Sequence, residues 1–130
     1  IIEQYISGRE FSVGVLDGHA LQVIEMAPLE GFYDYKNKYQ AGGAVETCPA
    51  LISPEQTGKL QALAERVFQV LRLKNYARMD FRMNEAGDFF CLEANTLPGM
   101  TPISLLPQEA AAAGMDFPDL CERILECAMR

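Results

Sequence analysis

Arg78, Asp80, Glu93 and Asn95 are the residue types that metal and phosphate chemistry needs, and their spacing can bring them together. Tyr76 to Met83 alternates strictly, which places Ala77, Met79, Phe81 and Met83 on one face of a strand and Tyr76, Arg78, Asp80 and Arg82 on the other. Asp88 to Asn95 reads as a second extended segment in which Phe89, Cys91, Glu93 and Asn95 share a face. The connection Asn84-Glu85-Ala86-Gly87 is short, polar and ends in Gly, so an antiparallel hairpin is the simplest joining. With Met83 paired to Asp88, Asp80 falls opposite Cys91 and Arg78 opposite Glu93, leaving Asp80, Glu93 and Asn95 on one side. A one-residue slip would turn one set to the other face.

Two carboxylates and an amide oxygen at cross-strand distance suit a hard divalent cation, above all Mg²⁺, which takes oxygen ligands and keeps water or phosphate oxygens in its shell. Arg78 adds a planar cationic fork for a phosphate or a developing oxyanion. The same spacing also fits a solvated hairpin face with an Arg78–Glu93 ion pair, worth under about 1 kcal/mol if exposed. The following segment, Thr96 to Pro102, favours the first reading. Pro98 and Gly99 fit the central positions of a type II turn, and Gly99 would let a ligand approach the main chain. Ser104 can cap a helix that tolerates Pro107 in its first turn, directing a helix N-terminus suited to an anion toward the same region.

The elements that must hold this hairpin are legible around it. From Arg9 to Ala27 two apolar-rich segments flank Asp17-Gly18, a hairpin-turn dipeptide, and His19 at its edge reads as a solvated turn residue. Residues 28 to 47 show no period and contain Gly31, Gly42 and Gly43, so they read as a long loop. Loops beyond about 12 to 15 residues are often lids. Phe32, Tyr33, Tyr35 and Tyr39 could pack such a loop while Lys36 and Lys38 reach an anion; an ordinary surface loop fits equally well. Ser53-Pro54-Glu55-Gln56 has the form of a capping box, and Leu60, Leu63, Ala64, Val67, Phe68 and Leu71 give one apolar stripe on a helix to about Leu73. Asp116 can cap another helix whose stripe is Leu120, Cys121, Ile124, Leu125 and Ala128.

The chain has 130 residues, 49% of them hydrophobic, enough for one compact core. It opens at Ile1 without an initiator Met, as a piece of a larger protein would. No apolar run approaches the roughly 20 residues that span a bilayer, and the net charge of −7 argues against nucleic-acid binding. Cys48, Cys91, Cys121 and Cys127 lack paired C-x-x-C spacing, and three of them lie inside apolar patterns where Cys behaves as a small buried hydrophobe; a structural role in a reduced, cytoplasmic protein is the expectation.

Four blocks then carry a family resemblance over about Ile2 to Ala128: Glu3 to Glu10 (EQYISGRE), Phe32 to Tyr39 (FYDYKNKY), Ala77 to Phe81 (ARMDF) and Glu93 to Thr101 (EANTLPGMT). In this order the chain resembles the C-terminal part of the D-alanine–D-alanine ligase family, within the ATP-grasp superfamily. The resemblance implies an α+β fold, an ATP-grasp C-terminal subdomain with a largely antiparallel sheet packed with helices. It implies a single unit over residues 1–130, lacking the family's N-terminal substrate domain and the ATP-binding lysines of its central domain. Asp80, Glu93 and Asn95 would hold two Mg²⁺ ions, or Mn²⁺ in their place, against ATP. Glu3, Tyr5 and Ile6 would line the adenine pocket, Glu10 would bind ribose, and Lys38 and Tyr39 would belong to the loop that closes over the γ-phosphate. Arg78 and the Gly99 N–H would stabilise an oxyanion, and Ser104 and Leu105 would hold the second substrate's carboxylate.

The implied reaction joins two D-alanines through an acyl phosphate, releasing ADP and phosphate, in the synthesis of a peptidoglycan precursor. A cytoplasmic homodimer is the implied state of the longer protein, and the isolated chain is expected to be inactive. Lys38-Tyr39 goes in the family with the dipeptide rather than the D-lactate ester. The competing readings are another ATP-grasp carboxylate–amine ligase, and a non-catalytic interaction module; loss of Asp80, Glu93 or Asn95 would mark the latter, and all three are present.

Overall fold

Asp17 and Gly18 take positive φ angles of 51° and 80°, the left-handed pair that a tight two-residue hairpin needs. They join β1 (Arg9–Leu16) to β2 (His19–Pro28), paired antiparallel from Leu16↔His19 to Glu10↔Met26. The computed structural model describes residues 1–28 and 44–130. Most of the expected long loop, with Phe32, Tyr33, Tyr35, Lys36, Asn37, Lys38 and Tyr39, therefore lies outside the described residues. The loop expectation ran too far at its end, because Ala44–Thr47 forms β3 and pairs with β2 from Glu25↔Thr47 to Pro28↔Ala44. Four residues are too few to display a period of two.

Among the described residues five strands make one antiparallel sheet in the order β3-β2-β1-β4-β5, where β4 is Tyr76–Met83 and β5 is Phe89–Asn95. Phe11, Val13 and Val15 of β1 stand opposite Phe81, Met79 and Ala77 of β4, so these side chains share a face. Helix α1 (Pro54–Val70) covers that face with Leu60, Ala64 and Phe68, closing the larger core. The other face of the sheet takes α2 (Leu105–Ala112) and α3 (Phe117–Ala128), and Leu16, Leu21, Leu106, Ala110, Leu120 and Cys127 form the second core there. The α+β expectation of an antiparallel sheet packed with helices is the architecture observed.

Helix α1 starts with the expected capping box: Gln56 N–H donates to Ser53 Oγ at 3.1 Å, and Ser53 N–H donates to Gln56 Oε1 at 3.1 Å. Ser53→Ala leaves one first-turn N–H without this partner, so urea unfolding is expected to report a loss of about 1 kcal/mol. The helix stops at Val70 rather than Leu73, where Arg72 turns to a φ of 54°. Asp116 caps α3 through its Oδ1, 2.9 Å from Asp119 N. The stripe of α3 is narrower than expected: Leu120 and Cys127 are buried and Ile124 half-buried, whereas Cys121, Leu125 and Ala128 are exposed. Among the described residues Leu120 and Cys127 share their core with Leu16 of β1, Leu21 of β2 and Leu106 and Ala110 of α2, so a narrow line of α3 residues is covered. Cys91 is exposed as well, on edge strand β5, so Cys127 alone of the four fits the description of a buried small hydrophobe; all four are free thiols. No described helix is long and apolar enough to cross a membrane.

Candidate functional site

The β4–β5 hairpin forms, in a register different from the expected one. Asn84 and Asp88 close it: Asn84 N–H donates to Asp88 O at 3.0 Å, Asp88 N–H donates to Asn84 Oδ1 at 2.8 Å, and Gly87 takes a φ of 84°. Only three residues then lie in the loop, and Met83 pairs with Phe89 instead of Asp88. Phe89 and Cys91 consequently stand opposite Met83 and Phe81, on the α1 face, and do not share a face with Glu93. The ladder then shifts between Phe81↔Cys91 and Asp80↔Glu93, with Leu92 as the extra residue of a β-bulge. Beyond the bulge Asp80 is opposite Glu93 and Arg78 opposite Asn95. The four residues with metal and phosphate chemistry are brought onto one face, with cross-strand partners different from those expected.

Arg78 and Asp80 meet as a two-pronged pair, Nε to Oδ1 and Nη2 to Oδ2, each at 3.0 Å. Burial works to lower the Arg78 pKa, but the hydrogen bond and charge of Asp80, together with the charges of Glu109 and Glu93, outweigh it and raise it. Glu93 Oε1 lies 4.0 Å from Arg78 Nη2, and its side chain is 61% exposed. Asn95 Oδ1 accepts from Leu97 N–H at 3.0 Å, which orients the amide and leaves that oxygen a second lone pair. The donor set is therefore three hard-oxygen side chains with an open, solvent-facing carboxylate, which fits Mg²⁺ and offers nothing to a soft metal. A cluster of three His, Cys, Asp or Glu does not occur among the described residues; the third oxygen here comes from an amide.

A second group of predicted residues gathers two residues further along β4. Arg82 stands opposite Glu10 in the β1–β4 ladder, and its Nη2 lies 3.4 Å from Glu10 Oε2. The same guanidinium donates from Nη1 to the carbonyls of Ile6 and Gly8, each at 3.3 Å, and sits 5.6 Å from the centre of the Tyr5 ring. Glu3 and Tyr5 are exposed in an N-terminal segment outside the strands. Arg78, Asp80 and Arg82 thus line one face at intervals of about 7 Å, two strand residues each.

Two expectations beyond the hairpin need correction. Gly99 does not take a positive φ, so Pro98-Gly99 is not a type II turn. The segment is instead bent by the Asn95 side chain on Leu97 N–H and by Ser104 Oγ, which accepts from Thr101 N–H at 3.0 Å. Ser104 occupies the N-cap position of α2 with extended backbone, but its hydroxyl is engaged with Thr101 and makes no capping bond. A Cβ on Gly99 would lie 3.0 Å from Ser104 Oγ, so the absent side chain lets these two segments approach. Ser104 and Leu105 lie at the start of α2, and Lys38 and Tyr39 fall outside the described residues.

One buried group escaped the sequence reading. Glu109 is fully buried on α2 with neither carboxylate oxygen hydrogen-bonded, and Ser12 Oγ of β1 is buried and unpartnered as well. Gly14, opposite Arg78 in the ladder, makes room: a Cβ there would lie 2.6 Å from Glu109 Oε2 and 2.3 Å from a Leu106 methyl. Burial pushes the Glu109 pKa up to about 8; the Gly14 N–H and the Ser12 hydroxyl, which face the carboxyl without reaching hydrogen-bond geometry, restrain the rise together with Arg78, and Asp80 adds to it. The signal available in sequence was a lone acid on the stripe Leu106, Glu109, Ala110.

Known proteins resemble the chain along nearly its whole length. The family model described as D-ala D-ala ligase C-terminus matches residues 1–126. A D-alanine–D-alanine ligase of Methylacidiphilum infernorum is 47% identical over 126 residues, covering 97% of this chain and 42% of the relative. One of Nitratidesulfovibrio vulgaris (strain DP4) is 48% identical over 130 residues, covering 99% and 43%. The crystal structure of D-alanine–D-alanine ligase from Bacillus anthracis complexed with ATP superposes with a TM-score of 0.84 at 30% identity, covering 98% of this chain and 40% of that one. The chain therefore spans less than half the length of the relatives it matches.

Proposed function

The chain belongs to the D-alanine–D-alanine ligase C-terminus family, and on that premise we propose that it supplies one wall of the active site of a longer ATP-dependent ligase joining two D-alanines. The observation that carries this reading is the convergence of Asp80, Glu93, Asn95 and Arg78 on one face through the bulge at Leu92. The N-terminal substrate domain and the central segment with its ATP-binding lysines belong to the remainder of the longer protein, for which the resemblance also supports a cytoplasmic homodimer.

Asp80, Glu93 and Asn95 would hold two Mg²⁺ ions, whose charge would offset that of the ATP phosphates. Glu3, Tyr5 and Ile6 line the adenine and Glu10 takes the ribose hydroxyls, while Lys38 and Tyr39, which lie outside the described residues, are assigned to the γ-phosphate by the family resemblance alone. The carboxylate oxygen of the first D-alanine attacks the γ-phosphorus, and the bond to ADP breaks. The free amine of the second D-alanine then attacks the acyl carbon, its carboxylate held at Ser104 and Leu105. Arg78 and the Gly99 N–H bear the oxyanion of that tetrahedral state before phosphate leaves and the amine's proton is lost. Positioning and electrostatics account for the rate, with the dipeptide entering peptidoglycan precursor synthesis.

Phosphate release by the longer protein, compared with D-alanine, D-lactate and other amino acids at saturating ATP, tests the substrate. D-alanine is expected to support turnover at least about tenfold better than the others. A stronger response to another acid or amine would move the assignment to a different carboxylate–amine ligase of the same superfamily. The purified 130-residue chain is expected to release no D-alanine-dependent phosphate.

A further inference from the structure

We propose that Arg82 is the positioning residue of the nucleoside end of the site, holding the adenine-lining segment and the ribose carboxylate in one arrangement. The inference rests on the proposed ATP-binding reading and assigns a role to a side chain to which that reading gives none. Residues 1–7 belong to no strand or helix, and the sheet ladder begins only at Arg9↔Met83. Among the described residues, the side-chain hydrogen bond that joins this segment to the sheet comes from the Arg82 guanidinium. Arg82 Nη1 reaches the carbonyls of Ile6 and Gly8 at 3.3 Å each, Nη2 reaches Glu10 Oε2 at 3.4 Å, and the Tyr5 ring lies 5.6 Å away. The Arg82 side chain is only 24% exposed.

Several features of this arrangement follow from the shape of arginine. Its planar fork can serve two carbonyls and a carboxylate while its face meets an aromatic ring, whereas a lysine ammonium is a single compact donor centre. Engaging Glu10 through Oε2 fixes the carboxylate and leaves Oε1 to accept from a ribose hydroxyl. Gly8 supports the same close approach: with a φ of 148°, its missing Cβ would sit 1.8 Å from Met83 O, so the segment passes directly against the end of β4. Arg82 touches neither the phosphate ligands nor the positions proposed for D-alanine, and it acts on the nucleoside through Tyr5, Ile6 and Glu10.

The test uses the longer protein with Arg82→Met and Arg82→Lys. The Met variant is expected to raise the KM for ATP about tenfold, the size of one net charge-assisted hydrogen bond, with Lys recovering part of it. The KM for D-alanine and kcat at saturating ATP should stay within about twofold of wild type, since uniform binding alone is lost. Inhibition by adenosine should weaken in parallel, while inhibition by tripolyphosphate should not change. A general loss of fold would instead depress kcat and shift every constant, and that outcome overturns the proposal, as does an unchanged KM for ATP. If Arg82→Met fails to fold, the Lys variant gives the same split. Calorimetric titration of the wild type with a non-hydrolysable ATP analogue separates the two levels of inference. Nucleotide binding that Arg82→Met weakens, without any joining of D-alanine, would leave Arg82 in place and sink the ligase reading; binding equal in wild type and variant would do the reverse.

Discussion

Glu93→Gln in the longer protein is expected to lower D-alanine-dependent phosphate release by about a hundred- to a thousandfold and to raise the Mg²⁺ concentration needed for half-maximal rate. Glu93 stands opposite Asp80 and 4.0 Å from Arg78, with most of its side chain in solvent. At that exposure its contact with Arg78 adds little to stability, so the substitution should leave the unfolding midpoint nearly unchanged. Gln preserves shape and one oxygen acceptor but removes the negative charge and one of two equivalent oxygens, which is what a shared hard-cation ligand contributes. Turnover measured over a Mg²⁺ titration, beside a thermal unfolding curve, gives both readouts. Unchanged turnover with unchanged metal dependence would sink the metal assignment, and an equal fall at all Mg²⁺ concentrations would move Glu93 from ligand to general electrostatic support.

The face on which Glu93 lies shows how far the sequence could be read. The alternation of β4 and the polar loop ending in Gly87 announced a hairpin, and Asp80, Glu93 and Asn95 do converge. Two departures from the expected ladder cancel in parity. The three-residue loop pairs Met83 with Phe89 rather than Asp88 and turns β5 over by one residue. Left uninterrupted, that register would have put Glu93 opposite Met79, inside the α1 core. The bulge at Leu92 turns the strand back. A bulge has no fixed residue signature when its extra residue is an ordinary Leu, so sequence periodicity alone could not locate it. Local signals with a dedicated side chain did better: the Ser53 and Asp116 caps and the Asp17-Gly18 turn all appear where the residues imply them. Gly99 failed for the opposite reason, since Pro-Gly admits several backbone paths and Asn95 and Ser104 select one that sequence adjacency does not encode. Arg82 was placed on the correct face without a role, because its partners Ile6, Gly8 and Glu10 are more than seventy positions away.

Glu109 is the group whose environment sequence reading had least access to, and it yields the largest expected effect on stability. Its carboxyl is fully buried on α2 against β1, and although the Gly14 N–H and the Ser12 hydroxyl face it, neither oxygen has a partner in hydrogen-bond geometry. Burial raises its pKa from 4.5 to about 8, so the folded chain keeps a proton that the unfolded chain has already released. Below pH 4.5 the group is protonated in both states and its full contribution to stability is present. As pH rises from there through about 8, unfolding releases a proton and is favoured, and above 8 both states are ionised and the slope vanishes. At about 1.4 kcal/mol per pKa unit the loss over that window is on the order of a few kcal/mol. Glu109→Gln keeps the shape and cannot ionise, so its stability should stay flat through this component and exceed that of the wild type above pH 8. Urea unfolding of both proteins at pH 5, 7 and 9 decides the matter, because the other titrating groups are common to the pair. Curves that run parallel across that range would show that Glu109 is ionised in the folded chain throughout, and would require that Ser12, Gly14 and Arg78 satisfy its charge far better than their geometry indicates.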